Sequence, residues 1–272
     1  MSLHDKILHQ WLRLPYVLSI RYKQMKQPFK VTYVFIHGLA DTGALWKPLI
    51  DKLPKNSNYI VVDLLGHGNS KYPDGDDMYR AAKQAQNVLT TCLRAGLSGP
   101  VVLVGHSFGA LVATEFAHSY RGIVRRMVLV SPPIYRDETK GKKVQLQQDE
   151  ILRGVYRQLL KQPNVIIKGY QLGGKLKLKG FSTIKIGEEN YAGIAGTLRA
   201  GIISQRTEER LAKTTIPTTI IYGRFDPLLV PHNFALLKRN NPNITVKVLA
   251  TAHAVRDSTV KAILRAIAEP KK

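Results

Sequence analysis

Cysteine is almost missing from this chain: Cys92 is the single one among 272 residues. An intrachain disulfide and a cysteine-rich metal site are thereby excluded. Cys92 lies on an apolar helical stripe, and core packing is its expected role. Long hydrophobic runs are missing too. No stretch reaches the roughly 18 consecutive apolar residues that a membrane-spanning helix needs. The first twenty-one residues carry Asp5, Lys6 and Arg13, and Pro15 interrupts their apolar content, so they do not read as a signal peptide. The expected location is cytoplasmic. Acidic residues are also scarce, 19 against 41 Lys and Arg, which leaves a net charge of +22. A field of that sign draws anionic polymers, lipid headgroups and acidic substrates. The lysines are dispersed, however, and no nucleic-acid module accompanies them, so no specific nucleic-acid partner is expected.

What the chain does have is alternation. Val31–Ile36, Tyr59–Val62, Val101–Val104, Met127–Val130, Thr218–Tyr222 and Thr245–Leu249 are short and apolar. Most are apolar throughout, which marks strands covered on both faces and hence a mostly parallel sheet. Helical patterns separate them. Ala81, Ala82, Ala85, Val88, Leu89, Cys92 and Leu93 follow three-four spacing behind Asp76 and Asp77, which read as caps. Further helices are expected from Phe108 towards Tyr120 and over Asp257 to Ala268. The pattern predicts an α/β fold with helices on both faces of a mostly parallel sheet. Alternation breaks at 132–206, where helix-like pieces at Glu150–Leu160 and Ala192–Ser204 flank a Gly- and Lys-rich run, Lys168 to Lys185. We read 1–131 and 207–272 as the core and 132–206 as an inserted helical cap.

The densest signal is Val101-Val102-Leu103-Val104-Gly105-His106-Ser107-Phe108-Gly109. A buried strand runs into Gly-His-Ser-Phe-Gly and then into a helix. This is the pattern of a sharp strand-to-helix turn that lifts a serine hydroxyl above a sheet. A serine nucleophile needs a base and a group to orient it. Asp226 follows the strand Thr219–Tyr222, and His253 follows Thr245–Leu249, so both fall at carboxyl ends of strands, where sites collect in open α/β sheets. The order Ser107, Asp226, His253 is the one this architecture uses. Asp137 is an alternative acid. Oxyanion donors are expected at the backbone N–H of Phe108 and of Leu39, in the loop His37-Gly38-Leu39-Ala40, with His37 structural. Leu228 and Leu229 are expected to line a largely apolar substrate cleft. Scattered histidines and the lack of a phosphate-cradling glycine loop predict no metal and no cofactor.

These residues resemble the α/β-hydrolase superfamily, in particular its small esterase-like and carbon–carbon-bond hydrolase branches. The resemblance rests on His37-Gly38, Trp46, Asp63-Leu64-Leu65-Gly66-His67-Gly68-Asn69-Ser70, Gly105 to Gly109, Gly223-Arg224-Phe225-Asp226 and His253. It implies that Asp63, His67 and Ser70 belong to a structural loop beside the sheet. A serine at the turn argues against the dehalogenase and epoxide hydrolase chemistries of aspartate nucleophiles. The chain departs from the family pattern at Ala252, before the histidine, and at Ala110, where glycine is common. The expected function is hydrolysis of a carboxylic ester, or a related acyl bond, of a small apolar substrate through an acyl-enzyme. A carbon–carbon hydrolase or thioesterase with the same triad, and a binding protein on a hydrolase fold, are the alternatives. The lysines at 168, 175, 177, 179 and 185, with Leu176 and Leu178, leave weak association with anionic membrane open as a further partner.

Overall fold

A computed structural model describes residues 3–136, 143–162, 164, 168 and 188–268. Asp137 and most of the basic run, including Lys175, Leu176, Lys177, Leu178, Lys179 and Lys185, lie outside the described residues. Seven strands form one sheet: β1 Ile20–Gln24, β2 Thr32–Ile36, β3 Asn58–Val62, β4 Val101–His106, β5 Val124–Val130, β6 Thr218–Gly223 and β7 Ile244–Leu249. Their spatial order is β1-β3-β2-β4-β5-β6-β7, with β1 antiparallel to β3 and every other pairing parallel.

The unbroken apolar runs are explained by what covers each face. Successive residues of a strand point to opposite sides. Val34 and Ile36 of β2, with Val101 and Leu103 of β4, enter a core built with the helices Ala81–Arg94 and Phe108–Ser119. Phe35, Val102 and Val104 point the other way, onto Trp46, Leu49, Val260, Ile263 and Ala266. The Asp257–Ala268 helix supplies the last three. Both faces are therefore dry, and alternating polar residues would have no water to meet. Cys92 sits in the first of these cores, where burial pushes its thiol up to about 12.

Two local readings need correction. Asp76 and Asp77 do not cap the long helix. They open a short 3₁₀ turn, Asp76–Tyr79, and the chain extends at Arg80 (ψ 141°) before Ala81 begins the helix. Asp76 is instead held by Arg199, whose Nε lies 2.6 Å from its carboxylate. The strand β1 is not marked by an apolar run, because its side chains are mostly half-buried at the sheet edge.

Between β5 and β6 the described chain forms the helices Lys143–Lys161 and Glu188–Gly196, a π-helical stretch Thr197–Ile203, and Thr207–Ala212. The stretch 188–203 lies close on the loops at the carboxyl edge of the sheet. A Cβ placed on Gly193 would come within 2.8 Å of the Gly66 carbonyl oxygen, and one on Gly201 within 2.5 Å of the Phe108 ring. Among the described residues no helix is long and apolar enough to cross a membrane.

Candidate active site

Ser107 occupies the turn between β4 and the Phe108–Ser119 helix with φ 52° and ψ −120°. That is the left-handed side of the map, which a non-glycine residue enters only at some cost. The turn is forced by crowding. A Cβ on Gly109 would lie 2.3 Å from the Ile36 carbonyl oxygen, and one on Gly105 2.4 Å from that of Gly109. Backbone occupies the space on both sides, so only glycine fits either position. The Ser107 N–H donates to the Val130 carbonyl at 2.8 Å, which ties the strained residue to β5. Its side chain stands at the first turn of a helix, beside N–H groups that have no intrahelical acceptor.

Phe108 begins that helix, so its N–H is one of them. The second expected donor, Leu39, is set by its neighbours. Gly38 lies against the turn so closely that a Cβ there would meet the Ser107 Cβ at 2.9 Å. The His37 Nδ1–H donates to the Gly38 carbonyl at 2.8 Å, and His37 Nε2 accepts from the Leu64 N–H at 2.9 Å. The Gly38 carbonyl and the Leu39 N–H belong to one planar trans peptide and point opposite ways. Holding the carbonyl therefore aims the N–H. Burial, followed by the neighbouring His67, pushes the His37 pKa down to about 3, so the ring keeps one donor and one acceptor at neutral pH.

On the far side, the His253 Nδ1–H donates to Asp226 Oδ2 at 2.7 Å, and the Asp226 carboxylate is fully buried. Oδ1 of Asp226 accepts from the Leu228 N–H at 3.0 Å, which closes the loop after β6. The structure thus brings Asp226 and His253 together across 27 residues. Of the two residues expected to line the cleft, Leu228 is half-buried and Leu229 is buried within the core. Asp63 accepts from the Gly43 and Asn69 N–H groups and from Arg21, and Ser70 Oγ donates to the Asp63 carbonyl. Burial raises the Asp63 pKa, but Arg21 and the two N–H donors outweigh it and hold the group below its ordinary value. The His67 Nδ1–H donates to the Leu65 carbonyl. These three residues are spent on the loop after β3.

Two connections were not legible in the sequence. His106, the residue before the serine, donates from Nε2 to the His253 carbonyl at 3.0 Å, and the two rings lie 5.1 Å apart. Burial, followed by His253, pushes the His106 pKa down to about 3, so it stays a neutral donor. It clamps the backbone of the histidine loop to the serine turn. Replacing His106 by Phe removes the donor but keeps a ring. Since one such bond is worth about 1 kcal/mol, kcat/KM for an ester should fall about fivefold. Gln, which offers an N–H at similar reach, should restore most of it. Equal losses in both variants would show that the bond is not what matters. The second connection is Tyr135. Its O–H donates to the Leu228 carbonyl at 2.9 Å, and Tyr156 of the Lys143–Lys161 helix lies 3.4 Å from it. Asp149 of the same helix accepts from Asn233 at 2.6 Å and from the Arg136 N–H at 3.2 Å. The inserted helix is thereby tied to the acid-bearing loop.

The buried imidazoles make stability depend on pH. Burial lowers His37 and His106 to about 3 and His67 to about 4. The unfolded chain, with histidines near 6.5, takes up these protons first. Their contribution is therefore fully present above about pH 6.5 and is lost as pH falls below it. Asp41, which burial raises to about 6, acts in the opposite direction, but singly. Stability should fall between pH 7.5 and pH 5.5 by on the order of 1–3 kcal/mol per pH unit, and the melting temperature should fall with it. A flat profile by circular dichroism would contradict the neutral-imidazole reading.

Comparison with known proteins bears on the family and the fold. Residues 33–255 match the model of a family described as alpha/beta hydrolase fold. An uncharacterized protein of Mycobacterium tuberculosis is 28% identical over 156 residues, 57% of this chain and 44% of that protein, so the chain spans less than half its length. A pimeloyl-[acyl-carrier protein] methyl ester esterase of Legionella pneumophila is 27% identical over 212 residues, covering 77% of this chain and 82% of that enzyme. An esterase from Exiguobacterium antarcticum superposes with a TM-score of 0.68 at 16% identity, over 93% of this chain and 98% of that one. The last likeness concerns the fold alone.

Proposed function

Since the chain belongs to the alpha/beta hydrolase fold family, we propose that it is a hydrolase that cleaves a carboxylic ester through an acyl-enzyme on Ser107. His253 Nε2 takes the Ser107 proton as Oγ attacks the carbonyl carbon. The oxyanion that forms is bound by the N–H groups of Leu39 and Phe108. The carbonyl re-forms, the ester C–O bond breaks, and the leaving alkoxide takes the proton from His253. Water then gives its proton to His253 and attacks the acyl carbon. The second tetrahedral intermediate collapses, and Ser107 leaves with the proton. Asp226 keeps Nδ1 protonated and steadies the imidazolium in both halves.

The observation that carries this reading is the 2.7 Å contact of His253 Nδ1 with a carboxylate sealed from water, on a loop that His106 clamps to the serine turn. A binding protein has no need of an imidazole held by a buried carboxylate. Within the insertion, residues 188–203 serve as the cap, through the contacts of Gly193 with Gly66 and of Gly201 with Phe108. An ester of a small, largely apolar acid is the favoured substrate, and the relative named a methyl ester esterase supports the ester bond alone. The test is a panel of p-nitrophenyl esters of increasing acyl length, acyl thioesters and vinylogous diketones. Ester turnover that exceeds the others is the expected result. Preference for the thioester or the diketone would move the reaction class while keeping the triad.

A further inference from the structure

Residues 3–17 form an outward-facing apolar knob, and we propose that it docks the protein on anionic lipid bilayers. Trp11 is 76% exposed, Leu12 60% and Leu14 49%, and Leu3, Ile7 and Val17 are exposed beside them. Scattered exposed apolar residues are ordinary on a protein surface, but six within fifteen positions are not.

The knob is folded, which separates it from a loose tail. The Leu12 N–H donates to the Ile7 carbonyl and the Leu14 N–H to the Leu8 carbonyl, both at 2.9 Å. The His9 Nδ1–H donates to the Leu14 carbonyl at 2.7 Å, and its ring stacks on Tyr16 at 3.5 Å. Arg13 turns the chain in the left-handed region, at φ 54°. Below the knob, the Tyr16 N–H donates to Asn87 Oδ1 and the Leu18 N–H to Thr91 Oγ1. Backbone polar groups are thus satisfied inside the turn, and the large apolar side chains are left outside. Water is a poor solvent for that arrangement, and the boundary of a bilayer is a good one. Trp is suited to that boundary.

Charge selects the kind of bilayer. Lys6 and Arg13 are exposed within the knob. The one acid of residues 3–17, Asp5, is held by Lys71 at 2.6 Å, so Lys6 and Arg13 leave the knob basic. Shallow apolar insertion combined with a basic surround is the two-signal logic of interfacial binding. A second copy of this chain fits less well, since each copy carries a net charge of +22 and the two would repel. The knob sits on the loop after β3, through the Lys71 pair and the bond from the Ser19 N–H to Ser70 Oγ. That loop leaves the carboxyl edge of the sheet, the edge that carries Ser107, so docking would bring the site's edge to the lipid.

The experiment is co-sedimentation of the full chain with phosphatidylcholine vesicles, with and without phosphatidylglycerol. Binding should favour the anionic vesicles at least tenfold and weaken as salt is raised. Trp11→Ser with Leu12→Ser, both exposed, should weaken it about 10- to 100-fold without lowering the melting temperature. Tryptophan emission should shift to the blue on binding, and Trp11→Phe should abolish the shift. Ser107→Ala should bind like the parent, since the triad takes no part in docking. Equal binding to both vesicle types, binding that survives the double substitution, or no binding would overturn the proposal. So would a dimer that the double substitution converts to monomer.

Discussion

Ser107→Ala should leave a protein that melts within a few degrees of the parent and hydrolyses esters about a millionfold more slowly. The size of the loss follows from what the hydroxyl does. With Oγ gone there is no covalent intermediate, and only the oxyanion donors and binding remain to assist water. Stability should hardly change. The turn is fixed by crowding around Gly105 and Gly109 and by the Ser107 N–H on Val130, and alanine keeps both. Measurement of kcat alongside thermal melting separates the two effects. Ester turnover near the parent rate in this variant would remove Ser107 from the mechanism.

Asp226→Asn should cost about four orders of magnitude in kcat, again with the fold intact. Oδ2 of Asp226 accepts from His253 Nδ1, and Oδ1 accepts from the Leu228 N–H. An amide that keeps its oxygen on Leu228 presents an NH₂ group to the ring. That group cannot accept, so His253 must carry its proton on Nε2 and can no longer take one from the serine. The loss is therefore one of tautomer rather than of shape. A variant retaining more than a tenth of the parent kcat would mean that Asp226 only braces its loop.

The serine turn could be read from the sequence because β4 is buried on both faces, which leaves an apolar run ending at Gly105. Asp226 and His253 could be read for a related reason, since each follows an apolar stretch that becomes β6 or β7. The Ile20–Gln24 strand escaped notice because an edge strand with half-buried side chains need not look apolar. His106 on His253 joins residues 147 apart, and nothing local announces it. The contact of Gly201 with the Phe108 ring is equally silent, because it depends on how the insertion folds back over the sheet. Residue type and strand position carry over from sequence to structure. Long-range packing against a neighbour of undetermined path does not.

Mass spectrometry of the intact protein after treatment with a fluorophosphonate tests the central claim most directly. The account predicts one adduct, mapped to the peptide carrying Ser107, abolished by Ser107→Ala and strongly slowed by Asp226→Asn. Labelling at another residue, or no labelling in a preparation that hydrolyses esters, would contradict it.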